Sequence, residues 1–265
     1  MVCEARLMHV TKMHGARNDF VILDRRTLGR DRSLSEFARW ACDRRAGIGA
    51  DGVIVLEPSS EADVRMRTIN SDGTEAEMCG NGIRCAARWL DEAGEGDRVA
   101  FETEAGIVRT EIVAREPEYS VRIAVGRPVL RAFSAPAFAD AAFVDTGNPH
   151  VVLFSAGVDD VDLERVAIQL QADPLFPAGT NVHVVSKSGE QSLRARHWER
   201  GVGLTQACGT GAVACAAAAI ERGSVVSPVA VFVPGGRLVV EWNGRDEAYL
   251  TGPAVRVFDA EVNPP

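Results

Sequence analysis

Two stretches of this sequence set a cysteine before a Gly-x-Gly and then a helix-forming run. The first is Cys79-Gly80-Asn81-Gly82-Ile83-Arg84-Cys85-Ala86-Ala87, and the second is Cys208-Gly209-Thr210-Gly211-Ala212-Val213-Ala214-Cys215-Ala216-Ala217. Each leading cysteine is therefore predicted at a helix N-terminus, where unpaired backbone N–H groups and the positive end of the dipole favour an anion. A thiol there is expected to shift toward its reactive thiolate. The neighbouring amides of Gly80-Asn81 and Gly209-Thr210 can hold a substrate carboxylate, with glycine permitting close approach. Two such sulfurs flanking one α-carbon suit the inversion of a stereocentre, because one base removes a proton and an acid returns another to the opposite face. One thiolate and one thiol then serve either enantiomer. An amide clamp and a dry pocket would support the carbanion.

Other chemistries account for less of the sequence. Free cysteines are commonly buried small apolar residues, and Cys3, Cys42, Cys85 and Cys215 are read that way. Gly209-x-Gly211-x-x-Ala214 matches the dinucleotide fingerprint, but it follows Thr205-Gln206-Ala207 and not a hydrophobic strand. A cysteine hydrolase pairing one thiol with His150 or His183 leaves the second Cys-Gly motif without a role. No Cys-x-x-Cys pair occurs, and His9, His14, His150, His183 and His197 are scattered, so no metal and no cofactor is expected.

The elements that must position these residues belong to an ordinary globular chain. Of its 265 residues 46% are hydrophobic, 25% charged and 6% aromatic, which suits one large domain or two small ones. Lys plus Arg is 29 against 37 for Asp plus Glu, a net charge of −8 that disfavours nucleic acid and anionic membranes as partners. The longest uncharged small-apolar stretch, Ala212 to Ile220, is too short to span a bilayer. Glu4 and Arg6 interrupt what a signal peptide would need, so the expected location is the cytoplasm, with reduced thiols.

The two cysteine motifs are part of a longer repeat, with an offset of 208 − 79 = 129. Asn18 to Leu23 matches Asn148 to Leu153, Asp51 to Val55 matches Asn181 to Val185, and Gly106 to Glu111 matches Gly236 to Glu241. Four segments in one order at nearly one spacing imply an internal duplication, with halves at 1–130 and 131–265. Strands are predicted at Val53–Leu56, Val64–Ile69, Ile107–Val113, Val121–Val125, Val151–Phe154, Val182–Val185, Val229–Val233 and Leu238–Trp242. Ser33-Leu34-Ser35-Glu36 is a capping box opening a helix toward Arg45, and Leu163, Val166, Ala167 and Leu170 keep helical spacing up to Pro174. Two more helices start at the cysteine motifs. Strands without regular βαβ alternation predict an α+β fold of two pseudo-symmetric, mostly antiparallel halves. If the halves pack about a pseudo-twofold axis, both cysteine-bearing helices point into one cleft, the expected active site.

The motifs resemble the diaminopimelate epimerase family along essentially the whole chain. The likeness rests on Lys12-Met13-His14-Gly15 with Asn18-Asp19-Phe20, Gly47 to Gly52, Asn70-Ser71-Asp72-Gly73, the Cys79 motif, Gly147-Asn148-Pro149-His150, Gly179-Thr180-Asn181-Val182, Trp198-Glu199-Arg200-Gly201 and Ala207-Cys208-Gly209. The resemblance implies a cofactor-independent enzyme interconverting LL- and meso-2,6-diaminopimelate for lysine and cell-wall synthesis. It implies Cys79 and Cys208 as the acid/base pair, and Gly80, Asn81, Gly209 and Thr210 at the reacting carboxylate. Further substrate contacts are implied at Asn18, Asn70, Asn148, Asn181, Glu199 and Arg200, with His150 and Glu199 tuning the site. It also implies a homodimer, two halves each curled round a helix, and a last strand near Val255–Val262 returning to the first half. Three departures stand out: Gly15-Ala16-Arg17-Asn18 where the family often has Gly-x-Gly-Asn, Gly52 where many members carry Gln, and Gly203-Leu204-Thr205 for a frequent Gly-Glu-Thr. A racemase of another amino acid on this scaffold, or a silent two-lobed binding protein, are the competing readings.

Overall fold

Gly15-Ala16-Arg17-Asn18 folds as a two-residue hairpin turn between β1 (Met8–Gly15) and β2 (Asn18–Asp24). Ala16 (φ 51°) and Arg17 (φ 65°) both occupy the left-handed region that such a turn demands and that glycine or asparagine adopts most readily. This departure from the family pattern thus falls on a strained turn. The computed structural model of the chain describes residues 7–25, 33–132 and 140–264, and Cys3 lies outside them.

After β2 the capping box works as its residues dictate, with the Ser33 hydroxyl accepting the Glu36 amide at the start of α1 (Leu34–Cys42). There follow β3 (Gly52–Glu57), β4 (Val64–Asn70), β5 (Glu75–Ala76), α2 (Gly80–Glu92), β6 (Arg98–Thr103), β7 (Gly106–Ala114) and β8 (Ser120–Gly126). The series then repeats as β9 (Val129–Arg131), β10 (Ala141–Asp145), β11 (Pro149–Phe154), α3 (Leu163–Gln171), β12 (Asn181–Gly189), β13 (Ser192–Glu199), β14 (Gly203–Thr205) and α4 (Gly209–Glu221). It closes with β15 (Val229–Val233), β16 (Gly236–Glu241), β17 (Ala248–Pro253) and β18 (Val255–Val262). The chain divides into two compact units, Met1–Ile123 with Pro253–Pro265, and Ala124–Gly252.

Strand pairing carries the duplication into topology. In the first unit β18 lies antiparallel to β1 and β1 to β2; β2 is parallel to β3, β3 antiparallel to β4, β4 parallel to β6, and β6, β7 and β8 continue antiparallel. The second unit repeats each step from β9 and β10 through β16 and β17. Thus β18, from the far end of the chain, takes in the first unit the place that β9 takes in the second. The parallel pairs are joined by helix-bearing crossovers, which parallel strands require. Mixed α/β architecture dominated by sheet is the result.

Both faces of each sheet are covered. In β3, Val53 and Val55 join Phe37, Ala38 and Ala41 of α1 in one core, while Ile54 meets the other helix, its Cδ1 lying 3.0 Å from where a Cβ on Gly82 would stand. In β12, Val182 and Val184 pack with Leu163, Val166 and Leu170 of α3, and His183 meets α4 at Gly211. The alanine run makes α4 buried all round, as its lack of a polar stripe requires. Each cysteine motif therefore begins an inner helix held rigidly against its own sheet. Among the described residues no helix is long and apolar enough to cross a membrane.

Candidate active site

Cys79 is the N-cap residue of α2 and is half-buried. Its thiol donates to Asn18 Oδ1 at 3.7 Å, and Asn81 Nδ2 donates to the same oxygen at 3.1 Å. Asn18 Nδ2 in turn donates to Asp51 Oδ2 at 2.8 Å, so this amide is fixed at both ends. Arg44 holds Asp51 at 2.7 Å and grips Asp19 through both terminal nitrogens. Burial alone would raise the Asp19 carboxyl, but hydrogen bonds from Arg44 and Lys12 outweigh it and hold the group at about 2. Asn70 closes β4, its Nδ2 donating to Thr74 Oγ1 at 3.0 Å across the turn to β5. At Gly52 an added Cβ would come 3.0 Å from the Ile69 carbonyl oxygen, so a larger residue there requires β4 to give by a few tenths of an ångström.

Sequence reasoning missed Arg84. It is completely buried in α2 and donates to Asn81 Oδ1 at 2.7 Å, to the Gly80 carbonyl at 3.2 Å and to the Pro253 carbonyl at 3.2 Å. Burial lowers its pKa to about 10, against the attraction of the Cys85 and Cys79 sulfurs. The guanidinium thereby fixes the first turn of the helix, including the two residues expected at the reacting carboxylate. The signal available in sequence was Arg84 and Arg88, a helical turn apart in the motif that follows Cys79.

Cys208 caps α4 differently. Its Sγ accepts the Gly211 amide of its own helix at 3.4 Å and lies 3.6 Å from Thr210 Oγ1. The Glu199 carboxyl, at the end of β13, lies beside the Cys208 thiol and the Thr205 hydroxyl. Burial first, and the neighbouring Glu199 charge second, push the Cys208 thiol well above its ordinary value. Burial likewise raises Glu199. The expected shift of Cys208 toward thiolate is thus overturned. The bonds from Gly211 and Thr210 pull in the expected direction, but desolvation and a carboxylate neighbour are stronger. Cys208 and Glu199 are thus neighbouring buried acids, each pushed toward its protonated form.

Around this pair, Asn181 uses its amide within the protein: Nδ2 donates to the Pro149 carbonyl at 3.1 Å and Oδ1 accepts the Arg200 amide at 3.0 Å. It sets the Glu199-Arg200 turn. Arg200 Nη1 donates to the Ala178 carbonyl at 3.0 Å, and its stem packs on Gly179, where an added Cβ would stand 3.1 Å from Arg200 Cδ and where a φ of 73° also favours glycine. Asn148 Oδ1 lies 2.7 Å from His150 Nε2, and His150 continues to His183, weighed from sequence only as a hydrolase partner, and to His197, given no role there. The amides of Gly80 in α2 and of Gly209 and Thr210 in α4 stand where no intrahelical carbonyl reaches them, the geometry that suits an anion. No group of three or more His, Cys, Asp or Glu among the described residues is arranged to hold a metal ion.

Known proteins place this geometry in a family. A family model described as "Diaminopimelate epimerase" matches residues 10–131 and 142–257. The diaminopimelate epimerase of Sphingopyxis alaskensis is 44% identical over 264 residues, covering 96% of each chain. That of Desulforudis audaxviator is 41% identical over 278 residues, covering 96% of this chain and 99% of the relative. Among solved structures, a phenazine biosynthesis protein of the PhzF family from Bacillus anthracis superposes with a TM-score of 0.77 at 19% identity, covering 97% of this chain and 99% of that one. A hydroxyproline epimerase from Agrobacterium vitis gives 0.67 at 16% identity, over 97% and 91%. Those two share the fold. With a family model matched through both duplicated halves and relatives this similar over nearly the full length, the chain belongs to the diaminopimelate epimerase family, whose reaction is an isomerisation.

Proposed function

We propose that this chain interconverts LL- and meso-diaminopimelate, with Cys79 and Cys208 as the two acid/base groups and without a cofactor. The observation that carries the proposal is the equivalence of the two cysteines: each is the N-cap of the inner helix of its unit. One sulfur as thiolate takes the α-proton and becomes a thiol; the other, a thiol, gives its proton to the opposite face of the carbanion and becomes a thiolate. The amides of Gly80, Asn81, Gly209 and Thr210 bind the carboxylate beside that carbon and stabilise the charge that develops on it. Glu199 accepts the Cys208 proton when Cys208 must act as base, so the buried pair never carries two charges. A thiol with a raised pKa leaves a strongly basic thiolate, which suits an α-carbon of low acidity. Arg200 grips the distal carboxylate with a planar fork, Asn18, Asn70 and Asn148 bind polar groups of the substrate, and Asn181 positions the Glu199-Arg200 turn. His150 tunes the site through Asn148.

Turnover in deuterium oxide tests this reading. Offered LL-diaminopimelate, the protein should yield the meso isomer with deuterium at the inverted carbon, and each of Cys79→Ser and Cys208→Ser should lose epimerisation in both directions. Full activity in either variant would refute the two-base mechanism, and preferential racemisation of another amino acid in a panel would move the substrate. A bound pyridoxal spectrum, or activity lost on chelating a metal, would refute the cofactor-free chemistry. The same reading implies a homodimer in the cytoplasm, checked by sedimentation equilibrium and by cell fractionation.

A further inference from the structure

In the second unit three buried imidazoles join end to end. His150 Nδ1 lies 2.7 Å from His183 Nε2, and His183 Nδ1 lies 2.9 Å from His197 Nδ1. At the near end His150 Nε2 lies 2.7 Å from Asn148 Oδ1, to which the Thr146 hydroxyl also donates at 3.2 Å. At the far end His197 Nε2 is buried without a hydrogen-bond partner. None of the three residues has exposed surface.

The duplication supplies an internal comparison. Phe20 pairs with Gly52 in the first unit as His150 pairs with Asn181 in the second, and Ile54 pairs with Thr68 as His183 pairs with His197. The structure thus matches Gly52 to Asn181 and Ile54 to His183, one residue away from the alignment of Asp51 with Asn181 that the sequence suggested. Ile54 also meets Gly82 in the way that His183 meets Gly211. One topology is therefore packed in its first copy by Phe20, Ile54 and Thr68. Three imidazoles in the second copy carry a desolvation cost that packing does not require.

Their hydrogen bonds have a single direction. A neutral imidazole has one donor and one acceptor nitrogen. Asn148 Oδ1 can only accept, so His150 carries its proton on Nε2 and accepts on Nδ1. His183 must then donate from Nε2 and accept on Nδ1, and His197 must donate from Nδ1. The orphan left at His197 is a lone pair. The reverse arrangement turns the Asn148 amide round, opposes the Thr146 hydroxyl and strands a buried N–H at His197, the costlier orphan. Burial keeps the rings neutral: His150 and His197 are lowered to about 3, and His183 also falls. Asp145 and Arg200 act on His150 with opposite sign, and the rings disfavour charge on one another.

We propose that His183 and His197 are positioning residues that hold His150 as its Nε2–H tautomer and so fix the Asn148 amide to offer only its Nδ2 donors to a ligand. Asn148 then reads a carboxylate and rejects an ammonium group at that place. The substrate half of the claim rests on the epimerase reading above.

Nitrogen-15 spectra of the histidine rings at neutral pH test the chain without any substrate. The expected result is a proton on Nε2 of His150 and His183 and on Nδ1 of His197; a proton on Nδ1 of His150, or any doubly protonated ring, overturns the inference. Two substitutions then separate positioning from packing. His183→Ile borrows the first unit's residue and removes the donor, whereas His183→Gln keeps an amide donor near the place of Nε2. For diaminopimelate, His183→Ile should raise KM about tenfold with kcat within about twofold, and His183→Gln should stay within about threefold of the parent. An unchanged KM in His183→Ile refutes the positioning role. If diaminopimelate is not turned over at all, the epimerase reading fails, while the ring spectra still decide how Asn148 is oriented.

Discussion

Lowering the pH from 7.5 to 5.5 is expected to remove about 4 kcal/mol of folding stability, and the three linked histidines are the reason. In the unfolded chain each titrates near 6.5, whereas in the fold burial holds His150 and His197 at about 3 and lowers His183 as well. A base whose folded pKa is depressed leaves stability intact above its unfolded pKa. Below that value the unfolded chain binds a proton that the fold refuses, at about 1.4 kcal/mol per pH unit for each ring. One pH unit below 6.5, three rings give about 4 kcal/mol, a large part of the roughly 5–15 kcal/mol that holds a typical domain together. Glu199 works the other way, because burial raises it and the fold gains stability as it protonates, but it is one proton against three. Asp19, held at about 2, enters only at lower pH.

Urea unfolding followed by tryptophan fluorescence at pH 5.5, 6.5 and 7.5 measures this, and Trp198 and Trp242 both lie in the histidine-bearing unit. The same series on His183→Ile should show a slope smaller by about one proton, whatever the variant's absolute stability. A stability that stays flat from pH 7.5 to 5.5 would show that the rings are charged or solvated in the fold, and the tautomer argument would fall with it.

Arg84→Met should cost about 3 kcal/mol in urea unfolding, since it leaves Asn81 Oδ1 and the Gly80 and Pro253 carbonyls without their donor; a loss under a few tenths would mean that those acceptors find other partners. Arg17→Gly should raise stability by about 1 kcal/mol by relieving a left-handed residue, a gain that exceeds the extra freedom of glycine in the unfolded chain; a lower melting temperature would refute the strain. Arg200→Lys should lower kcat/KM for diaminopimelate by a factor equivalent to about 2–4 kcal/mol with the melting temperature unchanged, because an ammonium cannot reproduce the guanidinium fork; unaltered efficiency would put Arg200 outside the site.

What the sequence made legible was local and repeated. Cys79 and Cys208 announced themselves because a cysteine, Gly-x-Gly and an apolar run recur at one offset, and Ser33 to Glu36 because a cap needs only four neighbouring residues. β13 escaped notice because its buried Leu193, Ala195 and His197 alternate with Arg194, Arg196 and Trp198 and so form no continuous β-branched run. β6 alternates in the same way, with Val99, Phe101 and Thr103 buried between Arg98, Ala100 and Glu102. With β2, β6 and β13 unread, the crossovers that make the sheets mixed were invisible. The thiol of Cys208 was misjudged for a related reason: a helix end is a local feature, while the burial and the Glu199 carboxylate that outweigh it come from β13.

The histidine chain lies further from local reading still. His150 and His183 are separated by 33 residues and meet through the parallel register of β11 and β12, while His183 and His197 meet across an antiparallel pair. No spacing rule joins them, and each alone reads as a core histidine. The duplication changes that judgement, because Phe20, Ile54 and Thr68 show what the same backbone accepts where only packing is asked of it. Phe20 and Ile54 are apolar and Thr68 is polar but cannot ionise, so three buried positions that carry no titratable group in one copy and an imidazole in the other have departed from the packing solution their own chain already contains. The departure coincides with the unit in which Cys208 neighbours the Glu199 carboxyl and in which Asn148 Oδ1 meets both His150 and the Thr146 hydroxyl. Function is therefore best sought where the two halves differ in chemistry while agreeing in register.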